Sequence, residues 1–246
     1  MSRLAVIGGT GLVTMEGLDI SEQLAMDTPF GAPSARLYRG TYAGRELLFL
    51  PRHGNPPVYP PHRVNYRANL WALKQAGVTL ILGINAVGGI SSAMTPRRLV
   101  VPHQIIDYTW GRHHTFFEDE SSAPVHVDFT HPYSASLRMR IMEAAAGAGI
   151  DIEGNGTYGA TQGPRLETAA EILRMERDGC DIVGMTGMPE AALARELELD
   201  YAAIALVVNR AAGKGPESIT MELIHENMAA AIGDLMRIFD KLFPLI

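Results

Sequence analysis

The segment from Leu50 to Ile90 limits the possible folds of this chain more than any other. It begins where the apolar run Leu47 to Leu50 gives way to Arg52 and His53. A loop with Pro56, Pro57, Pro60 and Pro61 follows, in which proline fixes φ and withholds backbone donors. Val64, Leu70 and Leu73 then predict a helix, and Gly77 supplies its stop. Thr79 to Ile84 is a near-continuous apolar strand that breaks into a small-residue turn from Asn85 to Gly89. This order predicts an α/β fold. In open α/β sheets, ligands sit at the carboxyl ends of the strands. Arg52, His53 and the Asn85 turn all lie at such ends, so the pattern aims them at one anion.

Other apolar strands end in the same way. Leu4 to Ile7 breaks into Gly8, Gly9, Thr10 and Gly11, which reads either as a plain tight turn or as one that brings backbone N–H groups and the Thr10 hydroxyl to a phosphate. A dinucleotide fingerprint fails on spacing: the third glycine is missing, and the region about 20 residues on lacks the ribose-binding acid. Asp181 to Met185 is a buried strand ending at Thr186, and Pro189 suits the start of a helix running to Leu197. Tyr201 to Val208 is a last apolar strand, bounded by Asn209.

Between these lie weaker signals. Ala35 to Tyr38 and Arg45 to Leu50 read as a hairpin around a turn at Gly40 to Gly44. Pro96 to His103 and Ile105 to Tyr108 form a strand region, and Ser134 to Gly147 fits a helix. Thr157 to Gly163 is strand-like, and a helix is expected from Glu167 to Met175. Glu167 in its first turn reads either as a charge favouring the positive helix end or as a functional carboxylate. The last helix carries Met221, Ile224, Met228, Ile232, Leu235, Phe239 and Leu242 on one face.

Composition excludes several classes. A net charge of −6 argues against a nucleic-acid binder. Cys180 is the only cysteine, so no intrachain disulfide or thiolate-rich metal site is available. The histidines of the Thr109 to Pro132 loop (His113, His114, His126, His131) have none of the usual ligand spacings, so no metal is expected. No apolar run approaches the ~20 residues of a membrane span, and no charged leader precedes the first strand. The expectation is a soluble, cytoplasmic protein without a membrane or nucleic-acid partner. With 246 residues, 47% of them hydrophobic, one domain over residues 1–246 is expected.

Four strand ends, at Thr10, Arg52 with His53, Asn85 with Ala86, and Thr186, supply a guanidinium, an imidazole, hydroxyls and backbone amides. Such a set suits a dianion. With no P-loop lysine motif and no acidic cluster for magnesium, free phosphate fits it better than a nucleoside triphosphate.

The motifs GGTGL at Gly8, RHG at Arg52, VNYRANLWALKQAG at Val64, NAVGGI at Asn85, QGPRLET at Gln162 and VGMTGMPE at Val183 run in order over nearly the whole chain. Together they resemble the purine nucleoside phosphorylase and methylthioadenosine phosphorylase family. The resemblance implies one α/β domain with a mixed, twisted central sheet flanked by helices. It also implies a homotrimer with sites near subunit interfaces, a place in purine salvage, and phosphorolysis with inorganic phosphate as co-substrate and no cofactor. The implied phosphate site is Thr10, Arg52, His53, Asn85, Ala86 and Thr186. Met185 would lie against the ribose, with Leu166, Glu167, Asn209 and Ala211 on the substrate and His126 supplied by a neighbouring subunit.

Departures from the family pattern bear on specificity. Adenine-specific members carry an aspartate where Asn209 stands, a second one near Ala211, and a small hydroxyl residue in place of Glu167. The Glu167 and Asn209 pair resembles the 6-oxopurine enzymes instead. Those enzymes place a histidine near the sugar 5′ position, about where Leu223 falls, and Pro57 replaces a histidine of other relatives. An apolar Leu223, with Ile219 and Met221 nearby, suits a methylthio group, unless Leu223 merely packs in the core. The expected reaction converts 5′-methylthioinosine to hypoxanthine and 5-methylthioribose 1-phosphate; methylthioadenosine, or inosine and guanosine, are the alternative substrates. A non-catalytic nucleotide-binding module is disfavoured by the intact phosphate set, and an oxidoreductase by the glycine spacing.

Overall fold

The computed structural model describes residues 3–12, 14–118, 125–215 and 219–246. In chain order the strands are β1 (Leu4–Gly8), β2 (Asp19–Leu24), β3 (Leu37–Tyr42), β4 (Arg45–Pro51), β5 (Leu80–Gly89), β6 (Leu99–Asp107), β7 (Ile152–Ala160), β8 (Ile182–Gly184) and β9 (Asp200–Arg210). The helices are α1 (Tyr66–Gln75), α2 (Ala135–Gly147), α3 (Ala169–Arg177), α4 (Gly187–Glu196) and α5 (Met221–Leu242).

All nine strands join one mixed sheet in the order β2-β3-β4-β1-β5-β8-β7-β6-β9. Because β9 also pairs with β5, the ladder through β5, β8, β7, β6 and β9 returns on itself. Helices cover both faces. In β1, Ala5 and Ile7 join the core that includes Leu70 of α1 and Leu193 of α4, whereas Leu4 and Val6 join the core with Leu137 of α2 and Leu235 of α5. A strand buried on both faces needs apolar side chains at every position, which is why β1 and β9 read as unbroken apolar runs.

Several boundaries differ from expectation. β5 does not turn at Asn85 but runs on to Gly89, pairing with β9 on one side and β8 on the other. Glycine permits this, since a Cβ on Gly89 would lie 1.8 Å from the Met94 carbonyl oxygen. β8 runs antiparallel back along this extension, which returns Thr186 to the level of Asn85. β7 begins at Ile152, ahead of the expected Thr157. α3 begins at Ala169: Thr168 and Glu171 form its capping box, so Glu171 holds the first-turn charge position and Glu167 precedes the helix. In α5 the fully buried stripe starts at Asn227 and Met228; Ile224 is half-buried against the core and Met221 is exposed.

Candidate active site

The carboxyl ends of β1, β4 and β5, the β8–α4 junction, the end of β9 and the start of α5 enclose a cavity of about 280 Å³. Of the residues expected at an anion site, Thr10, Arg52, His53, Ala86 and Thr186 line it. So do Leu166, Glu167, Met185, Asn209 and Ala211. Asn85, His126 and Leu223 are not part of that lining.

Arg52 is fully buried and held on three sides. Its Nε and Nη2 donate to separate oxygens of Glu190, each at 2.7 Å, and Nη1 donates to the Ile84 carbonyl at 2.7 Å. Tyr201 donates its hydroxyl to the same Glu190 at 2.8 Å. Burial alone would lower the Arg52 pKa, but the charge and hydrogen bonds of Glu190 outweigh it and hold the guanidinium above its ordinary value. Gly9 closes over this arrangement: a Cβ there would stand 2.5 Å from the Ile84 carbonyl oxygen and 2.9 Å from Arg52 Nη1.

Beside it, His53 Nδ1 lies 2.8 Å from the Tyr59 carbonyl. A carbonyl only accepts, so Nδ1 carries the proton and the neutral ring keeps Nε2 as an acceptor. Burial, followed by the Arg52 charge, pulls the His53 pKa below its ordinary value. Asn85 stands behind the cavity wall and donates Nδ2 to Thr186 Oγ1 at 2.7 Å. With its oxygen already accepting, the Thr186 hydroxyl is free to donate its own proton elsewhere.

At the other end, Glu167 Oε1 accepts from Thr161 Oγ1 at 2.7 Å, which leaves Oε2 as an acceptor. Asn209 is buried and donates Nδ2 to the Arg210 carbonyl at 2.7 Å, which orients its amide with Oδ1 unspent on that contact. Arg112 ties the surrounding backbone together. Its Nη1 donates to the carbonyls of Met185 and Met188 at 2.8 and 2.6 Å, and its Nη2 to those of Thr161 and Gln162 at 3.1 and 2.8 Å. Sequence reasoning missed both Glu190 and Arg112. The only signal for Glu190 was a carboxylate within an otherwise apolar helix start; Arg112 had none, because backbone carbonyls leave no mark in a sequence.

The third wall is apolar, built from Ile219, Met221 and Ile224 at the start of α5. Leu223 lies off this wall, and its backbone N–H is capped by Thr220 Oγ1 at 3.3 Å. His126 is exposed. Of the other histidines in its loop, His113 lies 3.3 Å from Glu118, and His114 lies 3.6 Å from Asp107.

The chain has relatives among known proteins, in sequence and in fold. The sequence profile of the phosphorylase superfamily matches residues 3–244. A probable S-methyl-5′-thioinosine phosphorylase of Pseudomonas syringae pv. tomato is 59% identical over 95% of this chain and 95% of its own length. A probable 6-oxopurine nucleoside phosphorylase of Dictyoglomus turgidum is 43% identical over 99% of this chain and 92% of its own. Among solved structures, methylthioadenosine phosphorylase from Schistosoma mansoni in complex with adenine superposes with a TM-score of 0.95 at 31% identity, covering 100% of this chain and 92% of the other. Similar in sequence over nearly all its length and in fold over the whole of it, the chain belongs to the phosphorylase superfamily.

Proposed function

We propose that this chain is a purine nucleoside phosphorylase whose preferred substrate is S-methyl-5′-thioinosine, which it splits with inorganic phosphate into hypoxanthine and S-methyl-5-thioribose 1-phosphate. One observation carries the reading: a single cavity is lined by Arg52 and Thr186, which can donate to an anion, by Glu167 and Asn209, which can hydrogen-bond a base, and by an apolar wall of Ile219, Met221 and Ile224. The related thioinosine and 6-oxopurine nucleoside phosphorylases support the same substrate class.

In the proposed reaction a phosphate oxygen bonds to C1′ as the C1′–N9 bond breaks, and the electron pair of that bond leaves with the base. The phosphate, held by Thr10, Arg52, His53, Ala86 and Thr186, also stabilises the positive charge that develops on the sugar. Asn85 acts through the Thr186 hydroxyl. Met185 and Leu166 border the sugar and base, and Ala211 leaves room where an acidic side chain would intrude. Phosphate is the only co-substrate, and no cofactor enters the scheme.

Among the described residues no helix is long and apolar enough to cross a membrane. A homotrimer, in which the exposed His126 reaches a neighbour's cavity, and a cytoplasmic role in purine salvage complete the proposal. The test is release of free base from methylthioinosine, methylthioadenosine and inosine, each with and without phosphate. Phosphate-dependent release that is fastest from methylthioinosine supports the reading; release that ignores phosphate overturns it.

A further inference from the structure

Glu190 is fully buried outside the cavity lining, yet its carboxylate accepts from Arg52 and Tyr201. A guanidinium has five N–H donors in a planar fork. Glu190 takes the Nε–H and one Nη2–H, and the Ile84 carbonyl takes one Nη1–H, so a single N–H remains on each Nη atom. Those two are all that Arg52 has left to offer a ligand. Their directions are set by the plane of the fork, and that plane is set by the bidentate pair. Glu190 sits four residues after Thr186 on the same chain segment, so the element that brings a hydroxyl to the cavity also brings the carboxylate beneath it.

We propose that Glu190, braced by Tyr201, is the positioning residue of the phosphate subsite, holding Arg52 so that one N–H of each Nη atom faces the anion. This inference rests on the phosphate subsite of the reading above. An arginine without that clamp must give up its rotamer freedom each time phosphate binds, and its donors are misaligned when phosphate arrives.

The test is steady-state kinetics of Glu190→Gln and Tyr201→Phe with methylthioinosine and phosphate varied separately, alongside thermal melting. In Glu190→Gln the new amide cannot accept at both positions facing Nε and Nη2, so one arginine bond is lost. The expected result is a phosphate KM raised tenfold or more in Glu190→Gln, with the nucleoside KM within twofold. Tyr201→Phe keeps the ring and removes one hydrogen bond to Glu190; it should raise the phosphate KM severalfold, which keeps the test alive if the glutamine variant does not fold. An unchanged phosphate KM in Tyr201→Phe overturns the proposal. So does a phosphate KM that falls because the released guanidinium charge attracts the anion, or two KM values that rise together. A parent protein without phosphate-dependent base release overturns the functional reading itself, a result separate from any variant.

Discussion

Arg52 and Glu190 meet side-on in the interior, each guanidinium nitrogen of the pair 2.7 Å from its own carboxylate oxygen and both side chains fully buried. Taking one charge out of a buried pair strands the other, at a cost of about 3–5 kcal/mol, whereas replacing both with apolar groups of similar size is often neutral or stabilising. Arg52→Met should therefore abolish phosphate-dependent turnover and also lower unfolding stability by about that amount. Arg52→Met combined with Glu190→Met should regain most of the stability and none of the activity. Urea unfolding of the three proteins checks this; a single variant as stable as the parent would show that the pair contributes nothing to the fold.

His53 gives a pH dependence whose sign is fixed. Its pKa is lowered in the folded protein, first by burial and then by the Arg52 charge, so as pH falls the unfolded chain takes up this proton before the native one does. Stability rises with pH wherever the unfolded state binds more protons. The His53 contribution is thus complete above the ordinary histidine value, about 6.5, and is lost as pH falls from there through the lowered folded value. His53→Gln should flatten the decline in stability between about pH 7 and pH 5 relative to the parent. Superimposable pH profiles of the two melting temperatures would rule this out.

What the sequence revealed depended on how each residue is buried. β1 and β9 were readable because both faces are covered, which forces an apolar residue at each position. β2 was not: Asp19–Leu24 is a largely exposed edge strand paired only with β3, so nothing selects an alternating pattern there. The gathering of Thr10, Arg52, His53 and Thr186 in one cavity was readable because polar residues interrupt apolar strands at their carboxyl ends. Glu190 escaped because its partner Arg52 is 138 positions away in sequence and its burial is a tertiary fact. Glu167 was half-read, since a carboxylate just ahead of a helix resembles a first-turn charge until the Thr168 and Glu171 capping box shows where the helix begins.

The apolar wall proposed to meet the 5′ group follows from the phase of α5. Successive residues of a helix point about 100° apart, so an error of one position turns a wall residue away from its cavity. Ile224 lines the cavity and Leu223 does not. Ile224→His should move the ratio of kcat/KM values for methylthioinosine and inosine toward inosine by about 10-fold or more, the scale of a mismatched small group in a hydrophobic site. Leu223→His should change that ratio by less than about threefold, since it meets no substrate group. The opposite ranking would return Leu223 to the 5′ wall.

The choice of base follows from donors and acceptors. A 6-oxopurine presents an N1–H donor beside its O6 acceptor, whereas adenine presents a bare N1 and an N6 donor. Glu167 has Oε1 occupied by Thr161, and an ionised carboxylate only accepts, so in the proposed pose Oε2 would pair with N1–H of hypoxanthine but oppose a lone pair in adenine. Asn209 spends an Nδ2–H on the Arg210 carbonyl, which leaves Oδ1 to accept from N7–H once solvent has protonated the departing hypoxanthine anion. An amide cannot give N7 a proton, which adenine needs as a leaving group. Sites built on such hydrogen bonds reject a mismatched partner by as much as ~10⁴, because the unpaired groups stay buried. Methylthioinosine should accordingly exceed methylthioadenosine by a large factor in kcat/KM, and equal turnover of the two by the parent protein would sink this assignment. Asn209→Asp sharpens the test. A carboxyl in that buried position is pushed toward its protonated form by desolvation, and with the proton on the oxygen facing N7 it becomes an acid for the departing base. Combined with Glu167→Ser, it should raise methylthioadenosine turnover about tenfold or more, a modest general-acid effect, and that gain should fade as pH rises and the new carboxyl ionises.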